Sequence, residues 1–216
     1  MNCIPINCII VASGNLLFTP RINRLLEEAD LIIAADGGAT HLKQMDMAPH
    51  VIIGDMDSIH PDTRCFFEKK FIPIIPHPSR KNQTDTELCI EFAIKKGVTA
   101  ITMLGMTGSR LDHTLANIFL LRRLCALGIK SRIIDANNEI YLVTDNLKLT
   151  GKKGDLLSVL PISDKVTGLT LRGLEYPLEN AVISMGSSLG ISNYFKTKQV
   201  NISVSAGVLL VTKSRD

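Results

Sequence analysis

The chain has 216 residues, 45% hydrophobic and 21% charged, which is the composition of an ordinary globular protein with room for one large domain or two modest ones and excludes a disordered chain. The formal net charge is only +3 and the Lys and Arg residues are scattered, which argues against a nucleic-acid-binding surface. No apolar run approaches the roughly 20 residues of a membrane span. The apolar start MNCIPINCIIVASGN has no basic leader region and runs into a Gly-Asn turn, so no signal peptide is expected. The five cysteines (Cys3, Cys8, Cys65, Cys89 and Cys125) form no CxxC and lie in or near apolar runs. They are expected as small core residues in a reducing, cytoplasmic compartment.

In chain order, INCIIVAS (6–13), ADLIIAAD (29–36), PHVIIGD (49–55), AITMLG (100–105) and SRIIDA (131–136) are short runs rich in Ile and Val. They lack polar/apolar alternation and therefore read as strands buried on both faces. Between them PRINRLLEEA (20–29), DTELCIEFAIKKG (85–97) and DHTLANIFLLRRLCALG (112–128) carry apolar residues at helical spacing, with Gly97 and Gly128 as stops. Strand–helix–strand repetition predicts a parallel, Rossmann-like sheet with helices on both faces. From about residue 140 the pattern becomes all-β: EIYLVT, DLLSVLPI, GLTLRG, NAVISMG, QVNISVSAG and VLLVTKS, separated by Gly, Pro, Asn and Asp. Residues 200–205 alternate cleanly, as a half-buried antiparallel strand does. The expectation is α/β overall: a domain over residues 1–140, then a small β-sandwich domain over 141–216.

Ligands of an open parallel sheet bind beyond the carboxyl ends of its strands. Here the runs end at Ser13-Gly14-Asn15, Asp36-Gly37-Gly38, Gly54-Asp55-Met56-Asp57-Ser58 and Gly105-Met106-Thr107-Gly108-Ser109-Arg110, with Asp112 just beyond. Asp85 opens a helix after Lys81-Asn82-Gln83-Thr84. In a parallel arrangement Asp36, Asp55, Asp57, Asp85 and Asp112 gather along one edge. Hard carboxylate oxygens without His or Cys suit Mg2+, which completes its shell with water and substrate phosphates. Gly-rich turns, helix N-termini, Lys81 and Arg110 would supply the donors that phosphates need. Taken singly, each Asp also reads as a turn residue or helix cap, Gly37-Gly38 as close strand–helix packing, and His41 and His113 as surface or capping residues.

The stretches AADGGA (34–39), GDMDS (54–58), NQTDTELC (82–89), GMTGSRLDHTLANI (105–118), SNYF (192–195) and GVLLVTKSRD (207–216) span nearly the whole chain. In this order the chain resembles the bacterial-type thiamine pyrophosphokinases. The resemblance implies an α/β nucleotide domain followed by a thiamine-binding β-sandwich, and a homodimer in which thiamine contacts one subunit's α/β domain and the other's β domain. It implies transfer of the diphosphate of ATP to the hydroxyl of thiamine, giving thiamine diphosphate and AMP, with Mg2+ as cofactor. Carried over by position, Asp36, Asp55, Asp57 and Asp85 match the acidic metal and phosphate site. Asp55, Asp57, Asp85, Arg110 and Asp112 match the catalytic set, with Asp112 as the candidate to orient or deprotonate the hydroxyl. Asp36, Gly37, Gly38, Lys81, Thr84 and Ser109 match co-substrate contacts, and Ser192 and Asn193 the thiamine side. The chain departs from the family at Asn82, where a K-D-x-T-D pattern is common. It has no Trp, so a ring over thiamine would come from Tyr or Phe; of Tyr194 and Phe195 only one can face a pocket. Two other readings compete: a Mg2+-dependent nucleotide or diphosphate hydrolase, and a non-catalytic thiamine or nucleotide sensor.

Overall fold

The computed structural model describes residues 6–215. Cys3 lies outside them. The chain divides into two compact units, Met1–Ala136 and Asn137–Asp216.

The first unit alternates β1 (Asn7–Val11), α1 (Pro20–Glu27), β2 (Leu31–Ala35), α2 (Gly38–Gln44), β3 (Val51–Gly54), α3 (Pro61–Lys69), β4 (Ile74–Pro76), α4 (Asp85–Lys95), β5 (Ala100–Leu104), α5 (Leu111–Ala126) and β6 (Lys130–Ile134). Its strands lie in the order β6-β5-β1-β2-β3-β4, all parallel. The central strands β1, β2 and β3 are buried almost throughout, which is why their sequences read as unbroken apolar runs. The sheet winds outward in one direction from β1 to β4 and in the other through β5 and β6. The switch point is therefore the crevice between β1 and β5.

Helix starts are written in the sequence. Thr19 accepts from the Ile22 amide ahead of Pro20, and the His60 imidazole accepts from the Asp62 amide ahead of Pro61. Thr84 and Glu87 close a reciprocal capping box at α4: the Thr84 hydroxyl accepts from the Glu87 amide at 3.3 Å, and the Glu87 carboxylate accepts from the Thr84 amide at 3.0 Å. Thr84→Ala removes half of that box and is expected to destabilise the protein by about 1 kcal/mol, read as a lowered urea midpoint at unchanged slope.

The second unit is an antiparallel sandwich. One sheet runs β12 (Asn193–Tyr194), β9 (Leu156–Pro161), β14 (Leu209–Ser214), β7 (Asn138–Val143); the other runs β11 (Leu178–Ser184), β10 (Lys165–Arg172), β13 (Gln199–Ser203), β8 (Asn146–Thr150). Alternation on β13 puts Val200 and Ile202 inward, against a core that includes Leu157, Val159, Leu171, Phe195 and Val211. Cys8 and Cys89 are buried and free, and burial pushes the Cys8 thiol up to about 12. Cys65, contrary to expectation, is exposed on α3. Among the described residues no helix is long and apolar enough to cross a membrane.

Candidate active site

In the first unit the loops after β1, β2, β3, β4 and β5 surround a cavity of about 650 Å³ at the switch point. The loops after β1 and β5 are joined backbone to backbone. Leu104 O accepts from Ala12 N at 2.9 Å, Gly105 O from Gly14 N at 2.8 Å, and Thr107 O from Asn15 N at 2.7 Å. Gly105 makes this possible: its φ is +66°, and a Cβ there would stand 2.2 Å from the Ala12 carbonyl oxygen.

Asp36 follows β2 and is 3% exposed, with φ at +44°. That left-handed conformation is one an Asp can adopt, and it turns the carboxylate into the cavity wall. A Cβ on Gly54 would come within 2.7 Å of the Asp36 Cβ, so the small residue ending β3 makes room for the carboxylate. Asp36 Oδ2 accepts from the Ser58 amide at 3.0 Å, while Oδ1 is buried with no hydrogen-bond partner. Burial pushes its carboxyl up to about 6, against the pull of the Ser58 amide, and the charges of Asp85 and Asp57 add to the rise.

Asp36, Asp55 and Asp57 each bring a carboxylate oxygen within 4.8 Å of the others. Asp57 is exposed and accepts from the Ser58 hydroxyl at 2.9 Å. Burial raises the Asp55 carboxyl, but the Asp57 amide and the Lys81 ammonium outweigh it and hold Asp55 below the ordinary carboxylate range. Lys81 bridges two carboxylates, at 2.8 Å from Asp85 Oδ1 and 3.5 Å from Asp55 Oδ2. Burial opposes its charge, yet Asp85 and Asp55 together raise its pKa. Asp85 itself lines the cavity, paired with Lys81, and is not one of the three carboxylates grouped within 4.8 Å.

Thr84, Ser109, Arg110 and Asp112 also line the cavity. The Thr84 side chain is engaged as the α4 cap. Arg110 forks onto Asp112, at 2.6 Å from Nη2 to Oδ2 and 3.3 Å from Nε to Oδ1, and holds that carboxyl below its usual range. Both side chains are mostly exposed. Gly37 and Gly38 lie behind the wall. A Cβ on Gly38 would meet the Val11 carbonyl oxygen at 2.0 Å, so its role is the close approach of α2 to β1. His113 is exposed. His41 is neither a surface nor a capping residue: half-buried, its Nε2 lies 2.8 Å from Gly14 O and ties α2 to the loop after β1.

Ser192 and Asn193 are in the second unit. Ser192 is exposed, with φ at +57°, and its amide donates to the Ser158 hydroxyl at 3.0 Å. Asn193 is buried and lines a cavity of about 540 Å³ with Tyr176, Leu178, Leu189 and Ile191. Its side chain donates to Tyr176 O at 2.7 Å and accepts from the amides of Tyr176 and Tyr194 at 3.1 and 2.9 Å. Phe195 is fully buried in the core, while Tyr194 packs edge-on against Tyr176, ring centroids 5.8 Å apart. Tyr176 was not anticipated; its only signal is an aromatic residue placed before a Pro in a turn between strands.

A model of "Thiamin pyrophosphokinase, catalytic domain" matches residues 22–133, and one of "Thiamin pyrophosphokinase, vitamin B1 binding domain" matches 143–209. The thiamine pyrophosphokinase of Bacillus subtilis is 34% identical over 211 residues, covering 96% of this chain and 98% of that protein. The chain belongs to the thiamin pyrophosphokinase family. A crystal structure of the Bacillus subtilis thiamine pyrophosphokinase superposes with a TM-score of 0.89 at 32% identity, covering 97% of this chain and 99% of that one. The thiamin pyrophosphokinase of Geobacillus thermodenitrificans superposes at 0.85 with 27% identity, 98% of each chain being covered. Among eukaryotic relatives, the thiamin pyrophosphokinase of Caenorhabditis elegans is 25% identical over 94% of this chain and 86% of its own length. As in the family's solved structures, a largely parallel α/β part precedes an antiparallel sandwich.

Proposed function

We propose that the chain transfers the diphosphate of ATP to the hydroxyl of thiamine, giving thiamine diphosphate and AMP. The observation that carries this reading is the cluster of Asp36, Asp55 and Asp57 at the β1/β5 switch point, with one buried carboxylate oxygen lacking a partner and the cations Lys81 and Arg110 in the same cavity. Mg2+ fits this donor set: hard oxygens, an orphaned Asp36 Oδ1, and no nitrogen or sulfur ligand. Asp36, Asp55 and Asp57 would hold it, with Asp85 released to it when Lys81 moves to a phosphate. When bound, Mg2+ neutralises phosphate charge.

The chain's own groups do the rest. Lys81 and Arg110 bind the phosphates and stabilise charge on the departing AMP. The thiamine oxygen forms its bond to the β-phosphorus as the bond from that phosphorus to the α–β bridging oxygen breaks. Asp112 accepts the hydroxyl proton once Arg110 turns from it to the phosphates; while the fork is closed, Arg110 keeps Asp112 a weak base. Asn82 leaves the 81–85 loop with one charge fewer than the common family pattern while Asp85 keeps its ion pair. Thiamine occupies the cavity of the second unit beside Tyr176 and Asn193. The active species in this reading is a cytoplasmic homodimer, and the free thiols of Cys8, Cys65 and Cys89 suit a reducing compartment.

Phosphorus NMR of the protein with ATP and Mg2+, with and without thiamine, tests the reaction. AMP and thiamine diphosphate are expected only in the tube with thiamine. ADP or free phosphate in both tubes would identify a hydrolase, and unchanged ATP in both a binding protein.

A further inference from the structure

The second unit buries a cation that the reaction does not use. Lys213, on β14, is 6% exposed. Its ammonium donates to Thr150 O at 2.8 Å, pairs with Asp155 Oδ2 at 3.1 Å, and stands 5.1 Å from the centroid of the Phe195 ring. An ion pair this deep gains little net stability, because desolvation offsets the attraction, and an uncharged pair of similar volume holds a core about as well.

What the pair does hold is one segment. The Asp155 carbonyl accepts from Phe195 N at 2.9 Å, and the Phe195 carbonyl accepts from Gly154 N at 2.9 Å. Lys213 covers the face of the Phe195 ring. Phe195 is therefore gripped by its backbone and by its ring. Two residues before it, Asn193 uses its amide to fix both the N–H and the C=O of Tyr176. Asn193 and Tyr176 both line the 540 Å³ cavity.

We propose that Lys213 and Asp155 are positioning residues for this cavity: they set the 193–195 segment, whose Asn193 in turn sets Tyr176. The proposal rests on the reading that the cavity takes thiamine. It distinguishes a device that aims a binding wall from one that merely holds the sandwich together.

The test is a Lys213→Met/Asp155→Asn double variant, which removes both charges, roughly keeps their volume and leaves an acceptor for the Lys152 amide that Asp155 now receives. Its thermal midpoint is expected near the parent's, with KM for thiamine raised about tenfold and kcat and KM for ATP within about twofold. Phe195→Leu, which removes the ring while leaving the ion pair, is expected to raise the thiamine KM in the same way and serves if the double variant does not fold. An unchanged thiamine KM in the folded double variant or in Phe195→Leu overturns the proposal, as does a parallel loss of kcat and ATP affinity. Leu189→Arg, in the cavity wall, tests the underlying reading. An unchanged thiamine KM there overturns the cavity assignment and the proposal with it, whereas a raised KM there beside an unchanged double variant overturns the positioning role alone.

Discussion

Asp36→Asn is expected to make the metal-free protein more stable and the enzyme inactive. In the folded chain the Asp36 carboxyl is raised to about 6 from an ordinary value of 3.8, mainly by burial. The folded state therefore binds this proton more tightly than the unfolded state does. The sign follows: below the unfolded value both states are protonated and there is no penalty, and as pH rises through the folded value the buried charge weakens the fold. A rise of this size corresponds to about 3 kcal/mol at pH 8. Asn carries no charge, adopts the left-handed backbone at least as readily, and still accepts from the Ser58 amide. In EDTA at pH 8 the variant should unfold at higher temperature than the parent, and the difference should shrink toward zero as pH falls below 3.8. Turnover should fall by about a hundredfold or more, because the orphaned Asp36 oxygen, proposed above as a Mg2+ ligand, is replaced or neutralised. A variant with parental stability at pH 8 would show that Asp36 is not under this strain. One with parental turnover would remove it from the site.

Gly38→Ala is expected to cost about 3 kcal/mol, the upper end of what an overpacked methyl does in a tight core. The added Cβ would meet the Val11 carbonyl oxygen at 2.0 Å and the Ala12 Cα at 3.0 Å. These are backbone atoms of β1 and the residue after it, so neither a rotamer change nor a flexible side chain relieves the clash. α2 would have to move off the sheet, drawing the loop that carries Asp36 with it. Urea unfolding should show a lowered midpoint, and the thermal stabilisation by Mg2+–ATP should shrink in the same variant. Gly108→Ala is the control for stability, since a Cβ there meets nothing closer than 3.8 Å and the backbone is not left-handed.

The sequence made the architecture legible wherever burial was complete. The runs that became β1, β2 and β3 are almost wholly apolar because both of their faces are covered, and residues 200–205 alternate because one face of β13 is not. It was silent where elements are short or half-exposed. β4 has three residues and β12 two, below any periodicity, and α2 has only seven. α3 buries only Thr63 and Phe67, with Phe66 half-buried and Cys65 exposed, so its apolar residues are adjacent in sequence and do not form a helical stripe. The carboxylates were visible because strand ends in a parallel sheet share an edge. What the sequence did not show is that Asp36, Asp55 and Asp57 bring oxygens within 4.8 Å of one another while Asp85 is paired with Lys81. Nor did it reveal the left-handed backbone of Asp36, or that the Asn193 side chain is occupied by Tyr176.

The ladder between β1 and β5 does not stop where the strands do. Through Ala12, Gly14 and Asn15 it continues into the two loops that floor the first unit's cavity, with His41 fastening Gly14 from the side. Surface loops ordinarily sample many conformations and lose that freedom when a ligand arrives, which subtracts from affinity. Here the loss has been taken at folding. A nucleotide bound there as proposed would meet a template already in shape, and the entropic toll of its binding would fall instead on the exposed side chains of Arg110 and Asp112.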